Sequence, residues 1–244
     1  MTNAVMLNNV THKDLRVRTG YSAEFGDNIN LALVFPTEFT FIQREYPILF
    51  RKDSNGNFES VALLGLDKSE NLFLEEPGWN ARYVPAVQQR GPFLIGLHPD
   101  KPDGSVNRGP MIHVNLDSPR ISETEGEPVF MPHGGNSPYL EHVTRILQII
   151  FDGAEASKTM FAAFEDAELI EAMEAKISLD ENTHYKLPGF FTINQERLES
   201  LDGSALEQLN RKGCLQFALF VANSLGNIEW LVELKKRRRA AVQA

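Results

Sequence analysis

The sequence predicts an α+β fold: a single domain over residues 1–244, strand-rich over about 1–130 and helix-rich over about 137–240. Three observations carry this. A hairpin signal surrounds Asp53-Ser54-Asn55-Gly56, with β-prone runs on both sides. After Pro138 the apolar residues change from alternating to helical spacing. No internal repeat or long linker divides the chain, which is long enough to bury a sizeable core.

From the N-terminus, "HKDLRV" (His12–Val17) and "NINLALVF" (Asn28–Phe35) read as strands. "PTEFTFIQREYP" reads as a short helix, because Pro36 is suited to start one and Pro47 must end it. In the hairpin, Asn55-Gly56 supplies the positive φ angles of a tight turn. "HPDKPDGSVNRGP" is a surface loop, and "MIHVNLD" alternates Ile112, Val114 and Leu116 against polar neighbours as a half-buried strand does. A short strand is expected at Val129-Phe130. Ser137 and Pro138 then form a helix start, as cap and first helical residue.

Leu140, Val143, Ile146, Leu147, Ile150 and Phe151 recur at helical spacing. Phe161, Phe164, Leu169, Ile170 and Met173 do likewise, with Asp152-Gly153 expected to break the two helices apart. "LPGFFTI" reads as strand. "NQERLESLDGSALEQLNRKG" reads as helix capped by Asn194 and interrupted near Asp202-Gly203. "CLQFALFVANSL" alternates Leu215, Phe217, Leu219 and Val221 and is expected to be a strand. "NIEWLVELKKRRR" closes the chain as an amphipathic helix.

Composition excludes several functions. A formal charge of −9 argues against broad nucleic-acid binding, which draws on clustered cations. The one basic cluster, Lys235 to Arg239, reads as a solvated helix end whose charge complements the macrodipole. A single cysteine, Cys214, rules out an intrachain disulfide framework and reads as a small buried hydrophobe. The N-terminus lacks the features of a secretory signal, and no apolar run approaches the roughly 20 residues needed to cross a bilayer. A soluble, cytoplasmic protein that does not span a membrane is expected.

No nucleotide loop, nucleophile elbow, zinc-protease helix or Ca²⁺ loop is present, so no catalytic residue is assigned. His98-Pro99-Asp100 is an H-x-D triplet that, with His142 or with His184, would make a 2-His-1-carboxylate set for iron, or a zinc site. On that alternative reading the protein is a metal-dependent oxygenase or hydrolase. His142 itself falls at the edge of the apolar helix face and reads as a partly buried structural residue.

The densest stretch is "LGLDKSENLFLEEPGWNARYVPAVQQRGPF", Leu64 to Phe93. Trp79, Arg82, Tyr83, Arg90 and Phe93 have the composition of a binding hot spot, rigid aromatics beside planar cations. The same residues also suit a core, so two readings stand: a surface that meets a partner, or an anchor of the fold.

"YPILF" (Tyr46–Phe50), "ALLGL" with "ENLFL" (Ala62–Leu74) and "WNARYVPAVQQRGPF" (Trp79–Phe93) resemble the bacterial SapC-like family. "LPGFFTINQERLESL" and "FVANSLGNIEWL" are similar to its closing segments. Members tend to occur in Gram-negative genomes near TonB-dependent receptors, cupin-like oxygenases and proteins similar to flavin-dependent tryptophan halogenases. The missing catalytic signature, this resemblance and the aromatic-arginine segment together lead to the expectation of an accessory protein without a cofactor, binding a protein or peptide partner in a TonB-receptor-associated uptake or surface-protein modification system. A homo-oligomeric structural protein is a third reading. The unrelated peptide-transporter permease of the same name is rejected, because its apolar spans have no counterpart here.

Overall fold

The computed structural model describes residues 3–97, 110–173, 176–180 and 183–243. The chain opens with β1 (Ala4–Met6) and β2 (Arg16–Val17), makes a 3-10 turn at Ala23–Phe25 and enters β3 (Leu31–Leu33). A 3-10 turn at Pro36–Glu38 runs into α1 (Phe39–Ile42). The hairpin β4 (Ile48–Lys52) and β5 (Phe58–Leu63) follows. Next come the ribbon β6 (Leu74–Glu75) and β7 (Gly78–Trp79), α2 (Ala86–Gln89), β8 (Phe93–Leu97) and β9 (Pro110–Asn115). The short strands β10 (Ile121–Ser122) and β11 (Glu127–Pro128) precede the long helix α3 (Pro138–Asp166). Strands β12 (Ile170–Ala172), β13 (Lys176–Ser178), β14 (His184–Lys186) and β15 (Phe190–Ile193) lead to α4 (Gln195–Glu199) and α5 (Gly203–Arg211). The chain ends with α6 (Cys214–Ser224) and α7 (Asn227–Gln243).

Strands concentrate in the first half and helices in the second, as the periodicity predicts. An antiparallel sheet of order β12-β15-β4-β5-β3 forms the centre, so a strand from the helix-rich half docks directly on the hairpin. A second sheet, β1-β9-β8, lies apart from it. Helix α3 serves both. Its first turns contribute Leu140, Val143 and Leu147 to the core under β8 and β9. Its last turns place Met160, Phe161 and Phe164 against the central sheet.

Several local signals hold. The Ser137 hydroxyl accepts from the Leu140 N–H, and Pro138 opens α3. Asn194 caps α4, and Asp202 caps α5 after the expected interruption. Other expectations are corrected. The hairpin loop spans five residues, 53–57, and of these only Gly56 takes positive φ, at +86°. The Asp53 carboxylate, which accepts from the Asn55 and Asn57 N–H groups, sets that wider loop. Strand β2 is confined to Arg16–Val17, because the Asn8 carboxamide accepts from Val10 and Thr11 and curls the preceding residues into a turn.

The break expected at Gly153 does not occur: α3 is one helix of 29 residues. Its glycine serves close packing, since a Cβ there would come within 2.4 Å of Phe35 Cβ and 2.6 Å of Thr37 Oγ1. The Thr37 hydroxyl donates to the Ile149 carbonyl at 3.0 Å and fixes that contact. Residues Ile170–Ala172, expected to be helical, form an edge strand on β15. The expected strand at Cys214–Leu225 is helix α6. Cys214, Ala218 and Val221 make its buried stripe at helical spacing, while Leu219 is exposed.

The basic cluster is also corrected. Lys235 is buried and its Nζ contacts Asp67 and Glu70, both at 2.5 Å. Arg238 donates to the carbonyls of Asn71 and Leu74 at 2.8 and 2.7 Å. These residues fasten α7 to the body. Among the described residues, no helix is long and apolar enough to cross a membrane.

Candidate binding groove

The dense segment turns at a cis peptide between Glu76 and Pro77 and carries Trp79 at the end of β7. Trp79 is half-buried. Its indole N–H donates to the Tyr46 hydroxyl at 2.9 Å, and its ring meets Tyr21 edge-on at 5.6 Å. Tyr46, fully buried, donates in turn to the Tyr83 carbonyl at 2.7 Å, and burial raises its pKa far above the ordinary phenol value. The Tyr83 hydroxyl donates to Glu38 at 3.0 Å, and its ring stacks on Phe41 at 5.1 Å.

Glu38 is the buried end of this chain. Its carboxylate also accepts from the Phe35 and Ala86 N–H groups, at 3.1 and 2.9 Å. Burial pushes its pKa up to about 7, outweighing the hydrogen bonds that pull it down. One carboxyl group thus ties the turn before α1 to the loop after β7.

Arg82 behaves differently. Its backbone N–H donates to both Glu45 oxygens at 3.0 Å, but its side chain is 91% exposed and its guanidinium only reaches Glu45 at 3.9 Å. The loop is held while the cation remains available.

The five predicted residues therefore separate. Trp79 and Arg82 line a groove of about 530 Å³, whose facing wall is Trp230 and Leu234 of α7. Tyr83 lies beside it as a strut between Phe41 and Glu38. Arg90 is half-buried, its Nε 3.3 Å from the Val87 carbonyl, and burial lowers its pKa. Phe93 is withdrawn as a binding residue: it is fully buried in the second core, 6.1 Å from the Tyr139 ring.

Trp230 was not singled out by sequence, yet it is 43% exposed with Arg237 5.2 Å from its ring centre. The available signal was its helical position. Leu231 and Lys235 define the buried side of α7, and Trp230 falls outside it. The wall is well seated, because Asn227 donates to the carbonyls of Gln43 and Tyr46 at 2.9 and 3.2 Å. Exposed Phe41, with Arg44 6.0 Å from its ring centre, extends the aromatic and basic surface.

His98 and Asp100 lie outside the described residues, and His142 is exposed on α3 rather than partly buried. Among the described residues no three His, Cys, Asp or Glu side chains are grouped to hold a metal ion. Cys214 is buried, and burial raises its pKa, so it is a packing residue rather than an activated thiol.

Comparison with the curated proteins and with the solved structures returns no match. A family model described as SapC matches residues 7–231, nearly the whole chain and every groove residue except Leu234. The chain belongs to the SapC family.

Proposed function

We propose that the protein is an accessory factor that holds a protein or peptide partner in the groove between Trp79-Arg82 and α7. The observation that supports this most is the pairing of Trp230 with Arg82 across one open groove. Large aromatics and arginines are the residues that dominate binding energy at interfaces. Around them, Phe41, Arg44 and Arg237 add apolar surface and positive charge to an otherwise acidic chain. The complementary partner presents an apolar anchor flanked by carboxylates.

The wider setting rests on family resemblance alone: TonB-receptor-associated uptake or surface-protein modification, with a cupin-like oxygenase or a flavin-dependent halogenase-like protein as partner. The test is titration of purified neighbours of both kinds against the wild type and the Arg82→Ala/Trp230→Ala variant. Binding that the double variant loses, with an unchanged circular dichroism spectrum, is the expected result. Binding indifferent to both substitutions, or no binding to either neighbour, refutes the reading.

A further inference from the structure

A second cavity, of about 570 Å³, opens between β5 and α3, away from the groove and independent of the function proposed for it. Its volume lies within the range of small-ligand sites. Phe58 and Phe161 line it, their rings stacked 5.7 Å apart, together with the buried Phe35. Ser60 lines it too. Two residues along β5 from Phe58, it lies on the same face of the strand. Only 2% of Ser60 is exposed, and its hydroxyl has no hydrogen-bond partner among the described residues. Buried hydroxyls are nearly always bonded, so this one is an unmet hydrogen-bonding group beside the cavity.

The rim decides the sign of the occupant. Glu59 is paired with Arg51 at 2.6 Å, and Lys158 with Glu155 at 2.7 Å. Glu165, one residue past Phe164 on the cavity side of α3, forms no ion pair among the described residues. Lys52 approaches the Phe58 ring at 4.9 Å, but it comes from β4 and does not line the cavity. The unmatched charge on the lining is therefore negative. We infer that this cavity binds a small organic cation with an aromatic or branched apolar body, its ammonium toward Glu165 and its body against Phe58 and Phe161.

The probe pair is phenethylamine and 3-phenylpropionate, similar in shape and opposite in charge, titrated into the full chain by calorimetry and NMR. The amine is expected to bind and the acid to bind at least several-fold more weakly. Glu165→Gln should weaken the amine several-fold. Ala162→Trp, at an exposed position on the lining, should abolish binding while the melting temperature holds; Ala154→Trp repeats the block should that variant misfold. Equal affinity for acid and amine overturns the inference. So does amine binding that survives both tryptophan blocks or ignores Glu165→Gln, or an absence of binding by either probe at millimolar concentration.

Discussion

The Trp79 indole N–H and the Tyr46 hydroxyl lie 2.9 Å apart, joining a groove residue to one that is fully buried. Trp79 is thus tied to the core while part of it lines the groove. Trp79→Phe keeps most of the packing but leaves Tyr46 without that donor, and should cost about 1 kcal/mol in a denaturant titration. Arg82→Ala, at an exposed side chain, should change stability by less than about 0.5 kcal/mol while weakening partner capture. Equal stability losses for the two would contradict the division of roles.

Lys235 meets Glu70 and Asp67 under α7, with Glu70 nearly as buried as the lysine itself. Burial alone would lower the lysine's pKa, but the hydrogen bonds to both carboxylates raise it above its ordinary value. Lys235→Met should therefore strand Glu70 and cost about 3 kcal/mol, the low end for breaking a buried pair because Asp67 is half-exposed and screened. Lys236→Met, one position on and exposed, should shift stability by less than about 0.5 kcal/mol. Thermal melts of the two variants give the comparison directly.

These contacts show why some features were legible and others were not. The hairpin, the Ser137 cap and the Asn194 cap are written in a few adjacent residues, so local chemistry reveals them. Helix α6 misled because a run with apolar residues at nearly every position satisfies both periods. Trp79 and Arg82 stood out by type. Trp230 did not, since recognising it requires knowing that α7 turns Leu231 and Lys235 inward. That orientation is fixed by Asp67, Glu70 and Asn71, which are distant in sequence.

Gly153 offers a test where local and tertiary effects oppose each other. Helix propensity alone favours Gly153→Ala by about 1 kcal/mol. The new methyl would meet Phe35 Cβ at 2.4 Å, and overpacking a core typically costs about 1–3 kcal/mol. The variant should be less stable than wild type by up to about 2 kcal/mol in equilibrium unfolding. A stabilised variant would mean that α3 does not rest on the Phe35–Thr37 turn.

Glu38 makes the fold sensitive to pH in a definite direction. Its folded pKa is about 7 against an ordinary 4.5, because burial outweighs three hydrogen bonds to the carboxylate. Between those values the folded chain holds a proton that the unfolded chain has released. Its stabilising contribution is therefore complete below about 4.5 and is lost as pH rises through about 7. A shift of that size corresponds to about 3 kcal/mol at most. Glu38→Gln removes the titrating group and should flatten this part of the profile between pH 5 and pH 8. The Tyr83 strut hangs from the same carboxyl group, so fluorescence of the neighbouring Trp79 should follow the transition in wild type and not in the variant. An unchanged pH slope in Glu38→Gln would assign the sensitivity to another group and leave Glu38 charged in the folded protein.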